Sequence, residues 1–145
     1  MQTIKEISAS ETYPVRHPVL RPGKPAESCR FDGDDLPTTK HFGLFEDGEL
    51  AGIASVFESK SDIFDVNQQF QLRGMAVLDS HQKKGIGKKL LRAAEEYIEN
   101  QSGELIWFNA REVAVGFYER NGYKKAGNLF EIPGVGPHFV MFKYF

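Results

Sequence analysis

The chain is poor in several things, and each shortage excludes a class of protein. One cysteine, Cys29, among 145 residues rules out an internal disulfide and a cysteine-based zinc cluster, so no metal is expected. That usage suits a reducing, cytoplasmic interior. No apolar run approaches the roughly 18 residues that span a bilayer, and the opening Met1-Gln2-Thr3-Ile4-Lys5-Glu6 lacks the apolar stretch of a secretory signal. A membrane partner is therefore not expected. Nor is there an excess of one charge: 18 Lys and Arg against 20 Asp and Glu leave a net charge of −2, which argues against a general nucleic-acid binder. Repeats, low-complexity tracts and linkers are absent, so the reading is a single domain over residues 1–145.

What is present reads as strands first and helices later. Thr3 to Ser8 alternates as a short strand. A helix over Ser10 to Arg21 is cut short by Pro14, Pro18 and Pro22. Gly23 to Lys40 reads as a surface loop, with Asp32, Asp34 and Asp35 as exposed acids. Asp47-Gly48 between apolar runs predicts a hairpin. Gln69 to Leu78 is the next strand, and its phase slips across Gly74: Phe70 and Leu72 share one parity, Met75 and Val77 the other. A β-bulge produces such a slip.

Gly85 to Asn100 carries an apolar stripe of Leu90, Leu91, Ala94, Tyr97 and Ile98, with Glu95 among the residues placed outside. Leu105 to Phe108 reads as an interior strand that includes Trp107. Arg111 to Asn121 reads as a second helix, with Val113/Phe117 and Ala114/Tyr118 four residues apart. Tyr123 to Ile132 and His138 to Phe145 close the chain as strands. This order predicts an α+β fold, a mixed α/β sheet.

The strand, glycine loop and helix start at Gln82-Lys83-Lys84-Gly85-Ile86-Gly87 form a geometry suited to an anion. Free N–H groups of a first helical turn point outward, the helix dipole adds positive character, and glycines permit close approach. Lys83, Lys84, Lys88, Lys89 and Arg92 add charge nearby. A P-loop fails here because Lys89 follows Gly87-Lys88, and a dinucleotide fingerprint fails because Leu90 replaces its third glycine. Two glycines before a solvated, lysine-rich helix face are the bland alternative.

Leu72-Arg73-Gly74-Met75-Ala76-Val77 followed by Gln82-x-x-Gly85-x-Gly87 resembles the central motif of the GNAT superfamily of N-acetyltransferases. Asn109-Ala110-Arg111-x-x-Ala114-x-x-Phe117-Tyr118-Glu119-x-x-Gly122-Tyr123 is similar to the motif that follows it, and together the two cover residues 69 to 125. The closing Gly134-Val135-Gly136-Pro137-His138 is loosely ElaA-like. The family often has Gly where Lys83 stands and Asn where Arg111 stands.

The resemblance implies a central, mostly antiparallel twisted sheet of six to seven strands, with a bulged, splayed central strand and flanking helices. It implies acetyl-CoA as co-substrate, its arm against Met75, Ala76 and Val77. The pyrophosphate would lie on Gln82, Lys83, Lys84, Gly85, Ile86, Gly87 and Lys88. Asn109 and Phe117 would complete the donor site, with Asn109 as a helix cap for its rival reading. Acetyl transfer to a small-molecule amine or a peptide amino group needs a deprotonated nucleophile, an oxyanion donor and help for the leaving thiolate. Tyr118 matches the family position for the last role, against a plain packing role. Glu131 and His138 are the acceptor-side candidates, with His41 and Glu58 as further possible bases. An acyl-CoA sensor without turnover is the alternative function; oligomeric state is left open.

Overall fold

The computed structural model describes residues 1–145. Seven strands form one sheet: β1 (Gln2–Ile7), β2 (Lys40–Glu46), β3 (Glu49–Glu58), β4 (Gln69–Val77), β5 (Leu105–Arg111), β6 (Lys124–Ile132) and β7 (Gly136–Tyr144). Their order is β1-β2-β3-β4-β5-β7-β6. Every neighbouring pair is antiparallel except β4 and β5, so the sheet is mostly antiparallel and the α+β expectation holds. The β2–β3 hairpin turns at Asp47 and Gly48, whose φ values of 51° and 87° suit a two-residue turn that follows strand twist.

Three helices accompany the sheet: α1 (Tyr13–Leu20), α2 (Ile86–Asn100) and α3 (Val115–Arg120). Helix α2 buries Ile86, Leu90, Leu91, Ala94 and Ile98 in the main core with Leu44, Ala54, Phe70, Leu72 and Ile106. Helix α1 covers a smaller cluster of Val15, Ile53 and Ala76. Ile53 and Ala54 are successive residues of β3 in different clusters, so the two helices lie on opposite faces of the sheet. Pro14 sits in the first turn of α1 and Pro22 follows its end, but Pro18 lies inside the eight-residue helix and does not end it.

Three expectations need correction. The 23–40 segment is not merely a surface loop: Cys29, Phe31, Asp34 and Thr39 are buried. The reason lies in α1, where fully buried Arg16 requires a counter-charge. Asp34 turns inward to meet it, at 2.7 Å to Nη1 and 3.0 Å to Nη2, and also accepts the Phe31 N–H at 2.9 Å. Secondly, β5 runs on to Arg111, and a 3₁₀ turn at Glu112–Ala114 precedes α3. Val113 is 93% exposed, because this tighter turn takes it off the face that Phe117 occupies. Thirdly, Glu95 is buried; its carboxylate accepts the Tyr123 hydroxyl at 2.7 Å and Lys143 Nζ at 3.0 Å.

Candidate active site

The site begins with a local irregularity. Ile53 pairs with Ala76 but Ser55 pairs with Arg73, so β4 holds one residue more than β3 across this stretch. Gly74 takes φ 63°, and a Cβ there would lie 2.9 Å from Phe31 Cε2. Glycine meets both demands. The extra residue keeps Met75 and Val77 packed on the same core as Phe70 and Leu72 despite their changed parity.

Past the bulge, β4 and β5 part. Their parallel pairing covers only Gln69–Gln71 against Leu105–Trp107, while β5 stays paired with β7 as far as Arg111. Met75, Ala76 and Val77 thus present backbone groups to a gap instead of a strand. The gap is a cleft of about 850 Å³. Its lining includes Met75, Ala76, Val77, Gln82, Lys83, Gly85, Ile86, Gly87, Lys88, Asn109, Phe117, Tyr118 and His138.

At one end stands the start of α2. Gly85 occupies the cap position with φ 75° and supplies no side-chain cap, which leaves the first-turn N–H groups free. Lys83 also has positive φ, 66°, a conformation that costs a residue with a side chain about 1 to 2 kcal/mol. Two left-handed residues separated by one other turn successive N–H groups toward a common centre, a shape that holds anions. Lys84 lies outside the cleft and bonds Glu46 at 3.2 Å, with His81 3.3 Å from the same carboxylate. A hydrogen bond from Gln2, then one from Lys84, hold the Glu46 carboxyl below its ordinary range. Glu46 thereby ties the end of β2 to the loop.

Tyr118 also lines the cleft, 8% exposed, its ring centroid 4.3 Å from that of Phe108 and 5.1 Å from that of Phe117. Burial pushes its phenol well above the ordinary value, so the hydroxyl keeps its proton at neutral pH. Asn109 is exposed on β5 and caps no helix. Trp107 is half-buried and donates to the Ser59 carbonyl at 3.0 Å.

His138 lies opposite Arg111 in the β5–β7 register and is 4% exposed. Its Nδ1 is 2.8 Å from the Gly136 carbonyl, which can only accept. The neutral ring therefore carries its proton on Nδ1 and leaves Nε2 with a free lone pair. Glu131 is exposed on β6, outside the cleft. Glu58 is exposed at the end of β3. His41 is buried elsewhere, between Ser55 Oγ at 2.6 Å and the Asp34 carbonyl at 2.9 Å.

Sequence reasoning gives the lysines of the cleft a role but not its arginines. Arg21, Arg73, Arg111 and Arg120 line it alongside Lys83 and Lys88, and no Asp or Glu does. Arg73 stood in the recognised motif, where the bulge drew attention to Gly74 instead. Arg21 and Phe31 came from stretches without periodicity, and no local signal marked them.

A splayed strand pair beside a helix start with free N–H groups, and a buried tyrosine lining the same cleft, is the arrangement that the sequence resemblance implies for an N-acetyltransferase. The comparisons agree. The acetyltransferase (GNAT) domain pattern matches residues 27–143, and this chain belongs to that family. It is 36% identical over 143 residues to a Bacillus subtilis (strain 168) protein named uncharacterized N-acetyltransferase YitI, covering 99% of this chain and 96% of that one. In fold it is similar to Escherichia coli ElaA, with a TM-score of 0.75, 20% identity and 99% of both chains covered. It is likewise similar to an aminoglycoside 6'-N-acetyltransferase in complex with coenzyme A, with a TM-score of 0.77, 16% identity and 98% and 96% coverage. No helix is long and apolar enough to cross a membrane.

Proposed function

We propose that this enzyme moves the acetyl group of acetyl-CoA directly to a primary amine, with His138 as base and Tyr118 as donor to the leaving sulfur. The observation that carries the reading is the gap between β4 and β5, which opens beside the anion-accepting start of α2. The free backbone groups of Met75 to Val77 would pair with the amides of the donor's arm. The N–H groups from Lys83 to Lys88 would hold its diphosphate. The bound thioester supplies the activated acetyl group.

An ammonium has no lone pair, so the amine must first lose a proton. A cleft lined by cations and no carboxylates disfavours the ammonium form. His138 Nε2, with its lone pair free, accepts the proton that remains on the attacking nitrogen. A backbone N–H near Val77 stabilises the oxyanion. Tyr118 donates its hydroxyl proton toward the sulfur as the carbon–sulfur bond breaks.

Two measurements test this. Acetyl-CoA should raise the melting temperature, because a ligand of the native state stabilises it by mass action. Tyr118→Phe should lower turnover about tenfold or more, within the usual range for acid catalysis, with acetyl-CoA affinity unchanged. Undiminished turnover would remove Tyr118 from the mechanism, and an unmoved melting temperature at millimolar acetyl-CoA would remove the donor. An acyl-CoA sensor without turnover has no feature in its favour here.

A further inference from the structure

Positive charge lines the whole cleft, yet the donor's phosphates account for only one end of it. Lys83 and Lys88 stand at the start of α2, beside the diphosphate cradle. Arg21 and Arg73 stand elsewhere, around Phe31: their guanidinium carbons are 5.4 Å and 4.9 Å from the centroid of its ring. Arg16 is nearer still, at 3.9 Å, but Asp34 already neutralises it. Neither Arg21 nor Arg73 forms an ion pair. Arg21 spends one donor on the Leu20 carbonyl, at 3.0 Å, and the Arg73 guanidinium has no hydrogen bond to the protein.

A half-buried guanidinium without a partner is costly to keep. Burial holds Arg73 below the ordinary arginine value, and the neighbouring Arg16 and Arg21 act in the same direction, against partial relief from Asp34 and Asp32. An anion entering the cleft would relieve it. The site is built for planarity as well. Arg73 also lies 5.2 Å from the Phe57 ring centroid, so two aromatic rings hold its fork in place. A planar fork suits a carboxylate, which takes two parallel N–H bonds. Position completes the argument: Arg73 immediately precedes the bulge glycine, and Met75 to Val77, where the thioester would lie, immediately follow it.

We infer that the acceptor is a small amine that also carries a carboxylate, held by Arg73 and Arg21 beside Phe31 while its amino group faces the thioester. This rests on the acetyl-transfer reading above. The same charges disfavour polyamines and other polycationic acceptors.

The experiment pairs each carboxylate with its neutral counterpart. The L-amino acids, β-alanine and 4-aminobutyrate are assayed against their carboxamides, with spermidine as a cation, by release of free thiol from acetyl-CoA. At least one carboxylate should exceed its amide by about 10- to 100-fold in kcat/KM, as the loss of a charge-assisted pair implies. Arg73→Gln and Arg21→Gln should erase most of that preference through KM and leave acetyl-CoA binding intact. Arg73→Lys, which keeps the charge and loses the fork, should fall between.

Preference for amides or spermidine would overturn the inference, as would variants that retain the carboxylate preference. If no amine in the panel turns over, the decision passes to melting temperature. Carboxylates must then raise that of the coenzyme A complex, and must fail to do so in Arg73→Gln; no rise overturns the inference. The shift with acetyl-CoA alone is read separately, so failure of the donor site and failure of the acceptor site are distinguishable.

Discussion

The two faces of the sheet are stabilised in different ways. Under α2 lies an apolar cluster of 17 buried residues. Under α1 the apolar cluster has three, and beside it lies a polar and ionic network: Arg16, Asp34, Ser55 and His41 bond to one another out of reach of solvent, against the rings of Phe31 and Phe57. An apolar face relies on many interchangeable contacts, and losing one methyl group leaves the rest in place. An ionic face relies on a few partners, each of which leaves a stranded charge when removed. The proposed phosphate cradle begins the helix of the first face, while the proposed acceptor pocket lies beside Phe31, in the loop that the second face anchors.

The sharpest way to break this contrast is Asp34→Ala. It leaves the Arg16 guanidinium buried and unpaired and should cost about 3 to 5 kcal/mol by urea unfolding. A loss under about 1 kcal/mol would show that the ionic face carries little of the fold. Acid gives the same contrast without a large cavity. Burial pushes the Asp34 carboxyl up, but the Arg16 and Phe31 hydrogen bonds and the charges of Arg16 and His41 outweigh it, and the net shift is downward. A lowered value contributes stability that is complete above the unfolded carboxylate pKa of about 4 and fades as pH falls through the folded value. The melting-temperature lead of wild type over Asp34→Asn should therefore be flat at neutral pH and shrink below about pH 4.

On the apolar face the expected losses are smaller. Ile98→Val deletes one methylene from a fully buried position and should cost about 0.5 to 1.5 kcal/mol by the same unfolding measurement. A loss as large as that of Asp34→Ala would erase the distinction between the faces. Smallest is Lys83→Gly, which releases the left-handed strain at the loop and should add up to about 1 kcal/mol, read as a rise in melting temperature of the free protein.

The same contrast explains what the sequence made legible. The α2 face is written locally: a phase slip at Gly74, glycines at 85 and 87 and a stripe from Leu90 to Ile98 each occupy a few consecutive positions. The α1 face is written in residues 16, 34, 41 and 55, which share no period and meet only after folding. Asp34 therefore read as one exposed acid among three, and the segment around Phe31 as loop. Val113 departs for a nearer reason: its spacing from Phe117 is helical in sequence, but the chain makes a 3₁₀ turn there. Arg73 gains its setting only from Arg21 and Phe31, which lie far from it in sequence and meet it in the fold.

The gap between β4 and β5 has one more consequence, which concerns time. Over its open half the sheet lacks a strand, and an extended arm with alternating donors and acceptors is the piece that would fill the vacancy. Once in place, that arm would add a wall beside the proposed pocket at Arg21, Phe31 and Arg73. The acceptor would then meet a finished pocket only in the company of the donor. Initial-rate patterns should accordingly show a compulsory order, donor on first and spent thiol off last, because the substrate that enters first is also part of the room that receives the second.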